Sequence, residues 1–254
     1  MTNASFNRSN RRKARGGKPL YGAPIGILML EARFPRIPGD MGNAQSWDFP
    51  VLYKVVAGAS PDAVVRRGAA GTTDAFVAGA KELVALGARG ITTNCGFLSI
   101  MQRELAGACG VPVVASSLMQ AETIQKLLPS GQRVGILTVS QQSLSAHHLK
   151  AANVPDGTPV VGTDDGREFS RVILNDEQEM DVELARLDLL DAATRLVDEH
   201  PAVGAILLEC TNMSPYSADI RHHTRRPVFD MVNFVSWFHG AVAPRVFLDP
   251  PPFD

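Results

Sequence analysis

The sequence predicts an α/β protein of two similar lobes, each a parallel sheet flanked by helices, related by a pseudo-two-fold with the site between them. Short apolar segments alternate with helical segments along nearly the whole chain, which is typical of parallel sheets covered by helices. Landmark residues of the first half recur at the same spacing in the second half, which indicates a duplicated unit. With 254 residues, 45% of them hydrophobic, the chain is long enough for two cores.

Eight apolar segments are the predicted strands. They lie at residues 24–30, 51–59, 90–93, 111–115, 133–139, 159–161, 205–209 and 227–229. Two of the segments between them are the clearest helices. Residues 73–86 and 176–199 both carry apolar side chains at a period of about 3.6 residues, which predicts amphipathic helices with one face against a sheet.

The repeat is defined by three pairs of residues at a constant offset of 115 positions. Each half has a cysteine after an apolar strand, a serine four residues later and a proline 17 residues after the cysteine; the pairs are Cys95 and Cys210, Ser99 and Ser214, and Pro112 and Pro227. The serines are predicted to cap helices, and the prolines to open the next strand. The same unit of structure is therefore expected in both halves.

The domain prediction follows from this repeat and from a change in charge at the beginning of the chain. Residues 1–20 are predicted to be a disordered basic tail, 21–129 the N-terminal lobe, 130–240 the C-terminal lobe and 241–254 an extension. Residues 1–18 hold six basic residues and no acid, which leaves 19 basic and 26 acidic residues, a net charge of −7, on the remainder. A short basic tail on an acidic body is weak evidence for nucleic-acid binding, so no nucleic-acid partner is predicted.

Composition also restricts the location and the chemistry. No apolar run approaches the roughly 18 residues that a membrane span needs, and the first residues lack the apolar centre of a secretion signal. Three scattered cysteines do not form a disulfide framework. A cytoplasmic protein without a membrane partner is therefore expected. The glycine-rich phosphate-binding and serine-hydrolase motifs are missing from the sequence.

Two opposed thiols suit proton transfer on both faces of one ligand. In parallel sheets the ligand crevice lies beyond the carboxyl ends of the strands, and Cys95 and Cys210 both occupy such ends. One cysteine could remove a proton while the other returns one, and a helix N-terminus would favour the thiolate. This chemistry requires neither a metal nor a cofactor, and none is predicted. Cys109 has no counterpart in the repeat and is predicted to be a core residue.

The segments around the two cysteines, TTNCGF at 92–97 and LECTNM at 208–213, resemble the aspartate/glutamate racemase superfamily. That superfamily includes amino-acid and hydantoin racemases, maleate isomerases and arylmalonate decarboxylases. The resemblance implies that Cys95 and Cys210 are the catalytic pair, that no cofactor takes part, and that a homodimer is an option. The substrate-binding residues that we predict are Asn43, Asn94, Gly96, Thr138, Ser140, Thr211 and Asn212.

The expected function is that of a cofactor-independent racemase or epimerase acting beside a carboxylate or amide carbonyl, on an amino acid or a hydantoin-like compound. Asn212 stands where glutamate racemases have histidine and aspartate racemases have glutamate, which argues against an acidic amino acid. Two alternatives stay open: a cis–trans isomerase or decarboxylase of a small dicarboxylate, and a non-catalytic two-lobed carboxylate-binding protein. Arg33 and Arg36, in the long loop after the first strand, are expected either to bind a carboxylate or to be solvated.

Overall fold

The computed structural model describes residues 14–245 and contains two parallel four-stranded sheets. The strands are β1 (Ile25–Leu30), β2 (Val51–Val56), β3 (Gly90–Thr93), β4 (Val113–Val114), β5 (Arg133–Thr138), β6 (Val160–Gly162), β7 (Val203–Leu208) and β8 (Val228–Phe229). The first sheet has the order β2-β1-β3-β4 and the second the order β6-β5-β7-β8. The two orders are identical once the repeat is applied, so the predicted α/β fold with two similar lobes is confirmed.

The central strands of each sheet are largely buried because helices cover both faces of the sheet. All six residues of β1 and of β7 are buried, and so are all four residues of β3. A strand that is buried on both faces has a continuous apolar run rather than an alternating one, as β1 and β7 do. In β3 the hydroxyls of Thr92 and Thr93 are buried because they donate to the carbonyls of Val114 and Ala115.

Between residues 14 and 245, eight α-helices connect or follow the strands. They are α1 (Thr73–Leu86), α2 (Gln102–Cys109), α3 (Ala121–Leu127), α4 (Ala146–Ala151), α5 (Phe169–Asn175), α6 (Val182–Glu199), α7 (Ser217–Thr224) and α8 (Met231–Val242). The helix predicted over 73–86 is confirmed as α1, which ends where Gly87 adopts a positive φ of 125°.

The helix predicted to begin at residue 176 begins at Val182 instead. Asp176 has a φ of 56° and ends α5 in the left-handed conformation. Asp181 then caps α6, because its carboxylate accepts hydrogen bonds from the backbone N–H groups of Glu183 and Leu184, both at 3.0 Å. The acidic residues of this segment therefore belong to a helix end and a connecting loop, and Asp181 supplies the cap.

The two lobes exchange their last helices. Met231, Val235 and Phe238 of α8 are buried in one cluster with Ile25 and Ile27 of β1, so the last helix of the chain covers the first sheet. Helix α3, which precedes the predicted boundary at 129–130, packs against β5 of the second sheet. Each sheet is thus completed by a helix from the other half, which joins the lobes into one packed unit.

The chain ends are only partly described. Most of the predicted basic tail and most of the predicted C-terminal extension lie outside residues 14–245; residues 14–20 are exposed and have no regular secondary structure, and α8 continues to Val242. Within the described part of the chain, every helix is too short or too polar to traverse a bilayer.

Candidate active site

The two repeated cysteines lie at the carboxyl ends of equivalent strands. Strand β3 leads into Cys95 and β7 leads, through Glu209, into Cys210, and each cysteine is the residue immediately before a 3-10 turn, Gly96–Met101 and Thr211–Tyr216 respectively. The structure contradicts the prediction that Ser99 and Ser214 cap helices, since both lie inside these turns. The Ser99 hydroxyl is buried and donates to the carbonyl of His148 at 3.1 Å.

Both cysteines line one narrow, mostly apolar cavity between the lobes. About 20 Å³ is open to the centre of a water molecule, which is room for one or two waters, so a substrate requires the walls to move apart. The lining residues are Leu30, Phe34, Pro61, Val65, Asn94, Cys95, Gly96, Phe97, Val139, Ile173, Glu209, Cys210 and Asn212. Cys95 is 9% exposed and Cys210 is 6% exposed, so the thiols are buried against this cavity.

The pKa values of both thiols are raised above the ordinary value, which favours the neutral form. Burial, followed by the nearby charge of Glu209, raises the pKa of Cys95 to about 12. The same two causes raise the pKa of Cys210 well above its ordinary value, and Cys95 adds to this. The backbone N–H groups of Phe97 and Leu98 partly oppose the rise at Cys95. All three cysteines of the chain are free thiols, and Cys109 is buried at the end of α2, as predicted for a core residue.

A chain of polar contacts fixes Cys210 to the loop that follows β1. The Cys210 thiol donates to Oδ1 of Asn212 at 3.5 Å, and Nδ2 of Asn212 donates to the buried carboxylate of Asp40 at 2.5 Å. Asp40 also accepts a hydrogen bond from Arg36 at 2.9 Å, and the Arg36 side chain is only 14% exposed. Arg36 is therefore a largely buried partner of Asp40, whereas Arg33 lies at the surface and contacts Asp176.

Asn94 and Glu209, the residues directly before the two cysteines, occupy equivalent places. The backbone N–H of Asn94 donates to Leu28 at 3.0 Å, and that of Glu209 donates to Leu137 at 2.8 Å. Oδ1 of Asn94 accepts from the backbone N–H of Leu30 at 2.8 Å. The side chains are 2% and 0% exposed. In each of them one polar atom, Nδ2 of Asn94 and Oε1 of Glu209, has no hydrogen-bond partner among the described residues.

Glu209 is a buried acid whose charge is only partly compensated. Oε2 accepts from the Thr138 hydroxyl at 2.7 Å, and the backbone N–H of Val139 also favours the carboxylate. Burial outweighs both contacts and raises the pKa of Glu209 from 4.5 to about 7. Gly96 leaves just enough room for this side chain, because a Cβ at that position would lie 2.2 Å from Oε1.

The structure brings most of the predicted binding residues to this cavity, directly or through one contact. Asn94, Gly96 and Asn212 line it. The Thr211 hydroxyl donates to the carbonyl of Asn94 at 2.6 Å, so it ties the two cysteine segments together, and Thr138 contacts Glu209 as described. These two threonines position lining residues.

Two predicted residues are engaged elsewhere. The Asn43 side chain accepts from the N–H of Gln45 and donates to the carbonyl of Arg36, both at 2.9 Å, so it caps a turn within its own loop. The Ser140 hydroxyl donates to Asp164 at 2.9 Å. The described residues contain no group of three or more His, Cys, Asp or Glu side chains arranged for a metal ion.

Glu209 is the site residue that the sequence interpretation missed. Two signals could have found it. A charged residue ends an otherwise apolar strand immediately before a repeated cysteine, and the offset of 115 that pairs the cysteines also pairs Glu209 with Asn94. A buried ionisable group of this kind in a cavity is a functional candidate.

The molecule is therefore an α/β protein of two similar parallel sheets with thiols at equivalent strand ends. Residues 118–237 match the family model described as Asp/Glu/Hydantoin racemase, in agreement with the resemblance to the aspartate/glutamate racemase superfamily that the sequence shows. The fold is shared with a liganded double mutant of arylmalonate decarboxylase, with a TM-score of 0.59 and 16% identity over 90% of this chain and 96% of the other. It is also shared with the Picrophilus torridus aspartate racemase, with a TM-score of 0.51 and 17% identity over 91% and 96%.

The relatives found by sequence comparison are named neither racemases nor decarboxylases. A dimethylsulfoniopropionate lyase of Durusdinium sp. clade D is 29% identical over 257 residues, which cover 96% of this chain and 82% of the relative. Dimethylsulfoniopropionate lyase 7 of Emiliania huxleyi (strain CCMP1516) is 28% identical over 235 residues, 86% of this chain and 67% of the relative. The chain thus shares its fold with racemases and a decarboxylase, whereas these relatives in sequence are named lyases.

Proposed function

We propose that this protein is a cofactor-independent lyase. It would remove a proton from the carbon beside a carboxylate and expel a leaving group from the next carbon, and dimethylsulfoniopropionate is the substrate to test first. The observation that carries the proposal is the convergence of two thiols, an amide donor and a carboxylate on one apolar cavity. The similarity to the Durusdinium lyase over 96% of this chain supports the choice of a lyase over an isomerase.

The elimination balances without a cofactor or a second reactant. A base takes the proton from C2 of dimethylsulfoniopropionate, and the C–H electron pair forms the double bond between C2 and C3. The bond between C3 and sulfur breaks, and its electron pair leaves with the sulfur. The products are acrylate and dimethyl sulfide, and the proton remains on the base until solvent removes it.

The contacts of the two thiols favour different roles for them. We assign the base to Cys95, because two backbone N–H groups, those of Phe97 and Leu98, favour its thiolate, whereas one, that of Asn212, favours the thiolate of Cys210. A thiolate whose pKa is about 12 is a stronger base than an ordinary one, and the positive charge of a sulfonium substrate would promote its formation. Cys210 donates to Asn212 and would remain a thiol. The unpaired Nδ2 of Asn94 would donate to the substrate carboxylate, where charge develops during proton removal.

A racemase is the second candidate function, and one specific observation favours it. Both cysteines line the same cavity, as proton transfer on two faces of one carbon requires, and residues 118–237 match the racemase family model. The two functions share the first step, removal of a proton beside a carboxylate. They differ in whether a leaving group departs or a proton returns.

The test is product analysis with purified protein and matched cysteine variants. Wild-type protein is expected to release dimethyl sulfide, measured in the headspace by gas chromatography, in equal amount to acrylate, measured by NMR. Cys95→Ser is expected to lose about 10²-fold or more of the rate, as for removal of a general base, and Cys210→Ser to lose less. Cys109→Ser is the control, since Cys109 is buried outside the cavity-lining set and should retain the wild-type rate.

Three results would contradict the proposal. If wild-type protein yields no dimethyl sulfide while an amino acid or hydantoin gains deuterium at its stereocentre in heavy water, the racemase function is correct. If a carboxylate ligand binds but no substrate is converted or exchanged, the protein is a binding protein. If both Cys95→Ser and Cys210→Ser, shown to be folded by circular dichroism, keep the wild-type rate, the reaction does not use the cysteines.

A further inference from the structure

We infer that Asn94 and Glu209 make the two-fold cavity asymmetric and thereby select and orient a zwitterion, with its carboxylate at Asn94 and its cationic group at Glu209. The inference deepens the proposed function, because it rests on the same cavity, but it concerns binding rather than turnover. It assigns a binding role to Glu209 and names the class of ligand as a small carboxylate with a positive charge two carbons away.

Equivalent backbone positions carry unlike side chains. Asn94 and Glu209 follow equivalent strands and make the same backbone hydrogen bond to the first strand of their own sheet. Each uses one side-chain oxygen to accept a hydrogen bond from the end of that strand: Asn94 accepts from the backbone N–H of Leu30, and Glu209 accepts from the hydroxyl of Thr138. The backbone contact is therefore repeated, whereas the unpaired side-chain atoms differ in kind: Nδ2 of Asn94 is a donor and Oε1 of Glu209 is an acceptor.

The unpaired atoms indicate a ligand with two unlike ends. Nδ2 of Asn94 and Oε1 of Glu209 are buried without a partner among the described residues, which costs free energy unless a ligand supplies the missing contact. A carboxylate satisfies the amide donor. A positively charged group satisfies the carboxylate, and both unpaired atoms belong to residues that line the same cavity as the cysteines.

The charge of the residues that line the cavity explains why the end of the ligand at Glu209 is expected to be a cation. Among the described residues that line the cavity, Glu209 is the single ionisable carboxylate, and lysine, arginine and histidine are missing from the lining. Arg36 lies outside this set and is paired with Asp40. A sulfonium or quaternary ammonium group donates no conventional hydrogen bond, so a carboxylate beside aromatic rings suits it. Phe34 and Phe97 supply such rings in the lining.

The experiment compares two ligands of the same shape that differ in charge. The probes are 3-(trimethylammonio)propionate and its neutral carbon isostere 4,4-dimethylpentanoate, and their dissociation constants are measured by isothermal titration calorimetry at pH 8. Wild-type protein is expected to bind the cationic probe at least about tenfold more tightly, since the charges meet in a site of low dielectric. Glu209→Gln is expected to reduce this ratio to about one. Glu104→Gln is the matched control, because Glu104 is exposed on α2, and should leave the ratio unchanged.

Asn94→Ala tests separately how the carboxylate of the two probes is bound. Asn94→Ala is expected to weaken both probes by the same factor and to leave their ratio as in the wild type, because both probes carry the same carboxylate. A merely structural role for Glu209 would weaken both probes together and would not change the ratio.

The outcomes separate this inference from the lyase proposal. Equal binding of the two probes by wild-type protein, or an unchanged ratio in Glu209→Gln, would overturn the inference, even if dimethyl sulfide is released. A cation preference that depends on Glu209 would support it, even if dimethylsulfoniopropionate is not cleaved; only the lyase proposal would then be wrong.

Discussion

Replacement of Glu209 by glutamine tests whether the buried charge of Glu209 lowers the free energy of unfolding of the protein. The pKa of Glu209 is raised by burial from 4.5 to about 7 in the folded protein. Between these values the folded state binds the proton and the unfolded state releases it. The free energy of unfolding therefore falls as the pH rises through this interval. The stability contributed by the protonated acid is complete below pH 4.5 and is lost above about pH 7.

The size of the effect follows from the two pKa values. The difference between 4.5 and about 7, at 1.36 kcal/mol per pKa unit, amounts to about 3 kcal/mol. Glutamine keeps the shape of the side chain and can still accept from Thr138, but it does not ionise. Relative to Glu209→Gln, the wild-type protein should therefore lose about 3 kcal/mol in its free energy of unfolding between pH 4.5 and pH 8.

The assay is urea unfolding followed by circular dichroism at several pH values for wild-type protein, Glu209→Gln and the exposed control Glu104→Gln. The difference between wild type and Glu209→Gln removes the other titrations that the two proteins share. It should grow with pH, so that Glu209→Gln is the more stable protein at pH 8, whereas the difference for Glu104→Gln should stay flat. A constant or shrinking difference for Glu209→Gln would refute the assignment of a buried, poorly compensated charge.

Two further substitutions test the packing and the polar chain around the site. Gly96→Ala should destabilise the protein by about 1–3 kcal/mol in thermal melting and lower the turnover rate. The reason is that the new Cβ would lie 2.2 Å from Oε1 and 2.3 Å from the backbone oxygen of Glu209. The control is Gly107→Ala, whose Cβ would have nothing within 4 Å, and it should be neutral or slightly stabilising in the same measurements. Asp40→Ala should lower the free energy of unfolding in urea by about 3–5 kcal/mol, because it leaves the largely buried Arg36 without its carboxylate partner. Asp62→Ala removes an exposed ion pair and should lower the free energy of unfolding by less than about 1 kcal/mol. If Gly96→Ala and Gly107→Ala, or Asp40→Ala and Asp62→Ala, had equal effects, burial would not be the cause of the destabilisation.

Local sequence pattern was sufficient for the elements whose apolar faces are continuous. Strands β1 and β7 and helix α1 were predictable because each buries a run or a stripe of apolar residues along its own length. The start of α6 was not predictable from that stripe. Its position depends on Asp181 as the cap and on the left-handed conformation of Asp176, and several acidic residues in the segment were equally suitable candidates.

The predicted binding residues also fall into two groups: those whose position follows from the local sequence and those whose position depends on the folded loop. Asn94, Gly96 and Asn212 lie within two residues of a repeated cysteine, so chain connectivity alone brings them to the cavity. Asn43 is in a loop of about 20 residues between β1 and β2, where the sequence does not fix which way a side chain points. In the folded loop its amide is used to cap a turn.

The duplication, the order of the strands and the placement of a cysteine at the same strand end in each half can all be read from the amino-acid sequence, because each depends on a short local pattern that recurs along the chain. Which helix covers which sheet, and which residues surround Glu209, become evident in the folded molecule alone. The packing of α8 on β1 and the contact of Gly96 with Glu209 join residues that are more than 100 positions apart in the chain. Whether a carboxylate is solvated or buried beside two thiols depends on such distant contacts, and that difference sets its pKa.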